Sequence, residues 1–441
     1  MKKERAIALV DGEHYFPVIK EGLEVLARQY EVVGAVFLGG TEKIGSKEDF
    51  NKLGVPVVIK DNFYSAIRSA IEKFSPDVAV DLSDEPVVGY YERFEIANLL
   101  LTAGVSYKGV DFDFSLPKLE KVALPSLSVA GTGKRIGKTS VAGYIALLLK
   151  QNYKTCIVTM GRGGPAEPEV LHGENIDLSP ERLVELAEQG RHAASDHFED
   201  ALMARVLTIG CRRCGGGMSG RIPFTSNVLQ GKELAESFNP DIIIFEGSGS
   251  TFPPVETNQT ILIVGAHQPL DYIMRYFGPY RILQSDLVIL TMCEDPEASE
   301  EKIQQMVDAI KKVKDIPIIK TIFRPKPLED ITGEKVFLAT TAPKKALSTL
   351  IEHLESKYSC KVVGASSSLS NRPILREDIS ANNYNFDTML VELKAAGVDV
   401  AAKLALNRGK RVVFIDNVPL ALEGNLDKHI LDIAQRVISK K

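Results

Sequence analysis

The run Gly131-Thr132-Gly133-Lys134-Arg135-Ile136-Gly137-Lys138-Thr139-Ser140 carries the residue types that hold a triphosphate. Its glycines let successive backbone N–H groups turn toward one point, and a helix starting at its end adds the positive end of a dipole. Lys138 is spaced to reach the β- and γ-phosphates of ATP, and the Thr139 hydroxyl to bind Mg²⁺. The usual spacing has glycine where this chain has Thr132, with Gly131 and Gly133 on either side. Such a site needs a carboxylate from a neighbouring strand. Glu246, closing Asp241-Ile-Ile-Ile-Phe245 and followed by Gly247-Ser248-Gly249, is placed to bind the metal directly or through water.

Further cations could serve a second, anionic substrate. Lys134 and Arg135 lie inside the loop, where they would neutralise a transferring phosphoryl group; a solvated pair is the plain alternative for Arg135. Arg162 follows the expected strand Cys156–Met160 and could face the acceptor. Arg212 and Arg213 fall in Gly210-Cys-Arg-Arg-Cys-Gly-Gly-Gly217, read as a glycine-rich loop able to clamp phosphate oxygens bidentately. Cys211 and Cys214 have half of a zinc-ribbon spacing, no second pair exists, and His172, His192 and His197 form no standard pattern. Reduced thiols are therefore the first reading and structural zinc the second. Asp11, Glu13 and His14 follow an apolar run at what reads as a strand end, and for His14 ligand and structural roles stay open. Arg372, with Arg376 nearby, is a further substrate candidate.

These residues need elements to aim them. Leu127–Ala130 reads as the strand entering the phosphate loop and Ser140–Leu149 as the helix leaving it. Cys156–Met160, Pro240–Phe245, Thr260–Val264, Leu287–Thr291 and Ile316–Ile319 read as further strands. Ahead of them, strands at Ala6–Val10, Val32–Leu38, Val55–Ile59 and Val78–Leu82 alternate with helices at Pro17–Tyr30 and Ala66–Phe74. Alternation of this kind predicts an α/β fold, with parallel sheets covered by helices and ligands beyond the carboxyl ends of strands. The expected organisation is a small Rossmann-like domain over residues 1–123 and a P-loop NTPase domain over 124–360, with an insertion around 170–235. A C-terminal α/β segment over 361–441 follows, and a connector from Ser115 through Pro117 to Pro125 separates the first two. In the last segment, Lys361–Gly364 and Arg411–Phe414 read as strands, Phe386–Ala396 as a helix, and Ala401–Ala405 as a further member of the alternation.

Composition sets the outer limits. A chain of 441 residues that is 44% hydrophobic and 25% charged is long enough for several buried cores, which excludes wholesale disorder. Fifty-three Lys plus Arg against 58 Asp plus Glu leave a net charge of −5, which argues against a nucleic-acid binder. Five cysteines, an odd number, suit a reducing compartment, and no apolar run approaches the ~20 residues of a membrane span. A cytoplasmic location without a membrane partner is expected.

The phosphate loop is similar to the Gly-Thr-x-x-x-Val-Gly-Lys-Thr version of dethiobiotin synthetases, as is Glu246-Gly-Ser-Gly249. Taken with Leu9-Val-Asp-Gly-Glu-His-Tyr15 and the Lys-Arg pair in the loop, the whole chain resembles the cyclic 2,3-diphosphoglycerate synthetases of methanogens. That resemblance implies ATP, Mg²⁺ and K⁺ stimulation, and closure of 2,3-diphosphoglycerate into an intramolecular pyrophosphate with release of ADP and Pi. It also implies a homodimer and a product that is a compatible solute in thermophilic methanogens. The expected substrate contacts are Arg162, Arg212, Arg213 and the N-terminal rim. The rivals are a dethiobiotin synthetase-type ligase, which would resemble only about residues 124–345, and a 2-phosphoglycerate kinase. From another class come a nucleotide-switched regulator or a metallochaperone using Cys211 and Cys214.

Overall fold

Apolar runs without alternation belong to strands covered on both faces. Ile242–Glu246 and Leu287–Thr291 are buried at every position, as is the strand that enters the phosphate loop. The computed structural model describes residues 2–43, 47–116, 119–381, 383 and 385–439; Pro117 of the expected connector lies outside them. The chain forms two units, Met1–Lys118 with Pro269–Gln284, and Leu119–Gln268 with Ser285–Lys441.

In the first unit the strands are β1 (Arg5–Val10), β2 (Glu31–Phe37), β3 (Val57–Val58), β4 (Val78–Asp81), β5 (Ser106–Lys108) and β6 (Asp113–Phe114). Their order is β3-β2-β1-β4-β5-β6, parallel except for β6 at the edge. Alternation along β1 sends Ile7 and Leu9 into one core, with helix residues Ala66, Ile67 and Ala70. Ala8 and Val10 enter the other, under Ile19 and Leu23 of helix Phe16–Gln29. Residues 269–284 join this unit through Phe277 and Tyr280, which share the first core. Asn98 locks them in place, its Nδ2 donating to Tyr276 O at 2.6 Å and its Oδ1 accepting from Tyr280 N at 2.9 Å.

The second unit contains β7 (Glu120–Lys121), β8 (Ser126–Gly131), β9 (Thr155–Gly161), β10 (Glu169–His172), β11 (Leu207–Cys214) and β12 (Thr225–Ser226). It continues with β13 (Ile242–Glu246), β14 (Val255–Glu256), β15 (Gln259–Gly265), β16 (Leu287–Thr291) and β17 (Ile318–Pro327). The last four are β18 (Lys335–Ala339), β19 (Lys361–Ser366), β20 (Thr388–Glu392) and β21 (Arg411–Ala421). One sheet runs β10-β11-β9-β13-β8-β15-β16-β17-β21-β20-β18-β19. Strands β11, β9, β13, β8, β15, β16 and β17 are mutually parallel; β21 is antiparallel to β17, and β20, β18 and β19 follow the direction of β21. The residues beyond 361 thus continue the sheet that carries the phosphate loop.

Three local expectations change. Thr388–Glu392, inside the segment expected as a helix, is a fully buried strand, because the short run Met389-Leu-Val391 suits either element by periodicity alone. Ala401–Ala405 is helical, following Gly397–Ala402, which is wound as a π-helix. The Cys211–Cys214 stretch is the end of β11, paired with β9 from Leu207↔Cys156 to Arg212↔Gly161, so the loop begins only at Gly215.

Candidate active site

The loop between β8 and helix Lys138–Leu149 is held by its neighbours. Gly137, at φ +80°, leads into the helix, and a Cβ there would sit 2.1 Å from the Phe323 ring of β17, so only glycine fits. Thr132 stands where glycine is usual because its hydroxyl has a partner: Oγ1 donates to Gln268 Oε1 at 2.5 Å, an oxygen that also accepts from Gly265 N at 3.2 Å. Thr291 Oγ1 donates to Ile136 O at 2.8 Å from the other side.

Beneath the loop, Lys138 Nζ donates to Glu246 Oε1 at 2.5 Å and Thr139 Oγ1 donates to the same oxygen at 2.7 Å. Glu246 is 1% exposed, and its Oε2 has no hydrogen-bond partner. Thr159, beside Glu246 in the β9–β13 register, also has an unpartnered buried hydroxyl. A buried orphan carboxylate oxygen is costly unless something is bound there. Hydroxyl and carboxylate oxygens are the donor set of a hard cation, so these residues fit Mg²⁺.

A cavity of about 950 Å³ opens above. It is lined by Gly133, Lys134, Arg135, Ile136, Gly137, Lys138, Thr139 and Ser140, together with Arg162 and Arg372. Gly131 lies below, where a Cβ would meet Ile136 Cδ1 at 2.9 Å. Arg135 donates to Ser370 Oγ at 3.2 Å, and Arg372 pairs with Asp399 at 2.7 Å. Among the described residues no carboxylate pairs with Lys134, Arg135 or Arg162, so three cations near the loop keep their charge for a ligand.

Arg213 stands just outside the lining, its Nη2 donating to Ser248 O at 2.8 Å. A Cβ on Gly249 would lie 2.5 Å from Arg162 Nη2 and 3.5 Å from Arg213 Nη2, which places both guanidinia around this turn. Burial and then the Arg162 charge lower the Arg213 pKa. Alternation along β11 leaves Arg212 exposed, its backbone N–H held by Asn227 Oδ1 at 2.7 Å. Cys211 packs in an apolar core, and burial pushes its thiol up to about 12, whereas Cys214 is exposed. Among the described residues no group of three or more His, Cys, Asp or Glu side chains could hold a metal.

Asp11, Glu13 and His14 belong to the first unit. Asp11 is fully buried and occupied by its own rim: Oδ1 meets Glu13 N at 3.0 Å and His14 Nδ1 at 2.8 Å, and Oδ2 accepts from Asp84 N at 2.5 Å. These bonds tie the carboxyl end of β1 to that of β4, where the strand order reverses.

Sequence reasoning missed Lys394. It leaves the end of β20, lines the cavity, and places Nζ 2.9 Å from Glu199 Oε1 and 3.2 Å from Ser140 Oγ. Burial opposes its charge, but Glu199 and Glu392 hold its pKa above the ordinary lysine value. Burial raises the Glu199 carboxyl against the pull of Lys394, and raises Asp200 further with help from Glu246 and Glu199.

Residues 5–115, 126–322 and 327–418 match the N-terminal, P-loop and C-terminal domains of cyclic 2,3-diphosphoglycerate synthetase. The cyclic 2,3-diphosphoglycerate synthetase of Methanothermus fervidus is 48% identical over 450 residues, covering 99% of this chain and 98% of its own. That of Methanothermobacter thermautotrophicus is 48% identical over 451 residues, covering 99% and 97%. That of Rubrobacter xylanophilus is 45% identical over 436 residues, covering 98% and 97%. Three matched domains and near-complete coverage, on top of the Lys138–Glu246 site, mean that the chain belongs to the cyclic 2,3-diphosphoglycerate synthetase family.

Proposed function

We propose that this protein uses ATP to close 2,3-diphosphoglycerate into cyclic 2,3-diphosphoglycerate, releasing ADP and Pi. The observation that carries the reading is a P-loop whose Lys138 and Thr139 meet Glu246 at the floor of a cavity that also gathers Lys134, Arg135 and Arg162. Phosphate oxygens are ionised nucleophiles already, so the barrier is mutual repulsion of anions, and positioned cations are the means to lower it. The loop N–H groups and Lys138 hold the triphosphate of ATP. One phosphate of the acceptor attacks the γ-phosphorus as the bond to the ADP oxygen breaks, forming a phosphoanhydride. The second phosphate then attacks the acceptor-side phosphorus of that anhydride, the ring closes, and the transferred phosphoryl group leaves as Pi. Lys134, Arg135 and Arg162 neutralise the oxygens that gain charge in both steps. Thr139 and Glu246 would hold Mg²⁺, which would supply positive charge against the anionic phosphate oxygens.

K⁺ stimulation and a homodimer, both by resemblance, and a cytoplasmic location, from cysteine usage, complete the reading. No helix among the described residues is long and apolar enough to cross a membrane. In the N-terminal rim, Asp11 shapes the turn, while Glu13 and His14 are less buried and are proposed as contacts. Arg213 is proposed to brace Arg162, and Arg212 and Arg372 to add to the positive field. Phosphorus NMR of protein, ATP, Mg²⁺ and 2,3-diphosphoglycerate tests the reading. A cyclic pyrophosphate signal growing with ADP and Pi is expected; absence of substrate-dependent ATP consumption rejects it.

A further inference from the structure

The large sheet contains two parallel sets of strands whose carboxyl ends face each other. β17 pairs with β16 only at Ile318–Lys320, then runs on and pairs with β21 from Thr321↔Ala421 to Pro327↔Ile415. β21 pairs with β20 at Arg411–Ile415, before it enters that ribbon. The carboxyl ends of β8, β13 and β16 therefore look toward those of β18, β19 and β20 across a two-stranded ribbon of about six residue steps, roughly 20 Å. Ligands of open α/β sheets bind beyond carboxyl ends. The phosphate loop occupies one of these edges, and the other is unassigned.

That second edge is polar and lines the same cavity, through Thr341 after β18, Ser367 after β19, Lys394 after β20, and Asn417 of β21. Its frame is Glu392, 2% exposed and fully engaged. Oε1 accepts from Thr340 Oγ1 at 2.5 Å and Asn417 Nδ2 at 3.0 Å; Oε2 accepts from Thr341 Oγ1 at 2.6 Å and Thr341 N at 3.2 Å. Two residues on, Lys394 is aimed by a turn in which Ala395 takes φ +48° and Gly397 must lack a Cβ, since Glu392 O lies 2.2 Å from where it would be. An ammonium has three donors; Glu199 and Ser140 engage two, leaving a third for an anion. Lys394 thus stands against the first turn of the phosphate-loop helix, although it comes from the opposite edge.

We propose that the carboxyl-end edge of β18–β21 is the acceptor subsite, binding a small bisphosphorylated carboxylate with one phosphate on Lys394, opposite the γ-phosphate held by the loop. This rests on the cyclisation reading above. Lys394 and its edge fix the attacking phosphate, the loop fixes ATP, and the ribbon sets the distance between them.

Calorimetric titration of 2,3-diphosphoglycerate, and separately of Mg²⁺ with ADP, into wild-type protein, Lys394→Met and Ser367→Asp tests the assignment. Ser367 is only part-buried, so Ser367→Asp adds a charge at the edge while the fold is kept, even if loss of the Glu199 pair unfolds Lys394→Met. Each folded variant is expected to lose roughly tenfold or more in acceptor affinity, with ADP affinity within about twofold of wild type. Unchanged acceptor affinity in Ser367→Asp, or equal loss of both ligands, overturns the subsite alone. Wild-type protein that binds ADP but no 2,3-diphosphoglycerate overturns the subsite together with the reading it rests on.

Discussion

Lys138 and Glu246 are in direct contact, Nζ to Oε1 at 2.5 Å, at 8% and 1% exposure. The lysine proposed for phosphate sits on the carboxylate proposed for metal, and each neutralises the other in a place water barely reaches. The proposed binding of Mg²⁺ and nucleotide would have to compete with this pair, whose charges offset one another.

Removing one partner strands the other. Lys138→Met strips the buried Glu246 carboxylate of its cation and leaves only the Thr139 hydroxyl on it, and is expected to cost about 3–5 kcal/mol of stability. Glu246→Gln removes the carboxylate charge and is expected to melt closer to wild type, while Mg²⁺ affinity or Mg²⁺-dependent turnover falls roughly 10–100-fold. Thermal melts and Mg²⁺ titrations of the two variants decide it. A Lys138→Met variant that melts with wild type would mean that the contact is not a buried ion pair.

Lys134 faces the cavity with no carboxylate partner among the described residues, so its removal disturbs no native pair. A cation acting on charge that develops during transfer should affect rate more than binding. Lys134→Ala is expected to lower kcat about 100-fold while ADP affinity stays within about threefold. Steady-state rates beside equilibrium binding measure both, and a parallel loss would assign Lys134 to ground-state binding.

The loop and Glu246 were legible because their chemistry is local: ten consecutive residues make the anion nest, and one strand-end carboxylate completes it. Lys394 was not, because it reaches Ser140 across 254 positions and belongs to no motif. Its surroundings read as helix, since Met389-Leu-Val391 is too short for periodicity to separate strand from helix. The same limit hid β11, whose glycine-rich end reads as loop until Leu207–Arg212 is seen paired with β9. That residues 269–284 pack with the first unit depends on Asn98, Phe277 and Tyr280 meeting in space, which no local pattern reports.

Gly249 tests the placement of Arg162. Its φ of +60° favours glycine, and an added methyl would lie 2.5 Å from Arg162 Nη2, the movable end of a long side chain. Gly249→Ala is expected to push that guanidinium aside at a conformational cost of about 1 kcal/mol. The KM for 2,3-diphosphoglycerate should then rise while the KM for ATP changes little. A rise confined to ATP would place Arg162 on the nucleotide side.

His197 gives the fold an acid-sensitive step. Its ring is 3% exposed, packs where a Cβ on Gly210 would come within 2.6 Å, and lies 3.0 Å from Ser195 Oγ and 3.2 Å from Glu169 Oε2. Burial lowers its pKa from 6.5 to about 4, with the Asp196 charge opposing. In the folded chain the ring is therefore neutral, Nε2–H donating to Glu169 and Nδ1 accepting from Ser195. A depressed histidine pKa means that the unfolded chain binds the extra proton first. Its contribution is complete above pH 6.5 and is lost as pH falls toward 4, about 3 kcal/mol in all. His197→Gln keeps a polar side chain but cannot titrate, so its melting temperature should fall less than that of wild type across this window, whatever the carboxylates contribute to both. Melting curves that stay parallel from pH 7 to about 4 would show that burial does not lower the His197 pKa in the folded protein.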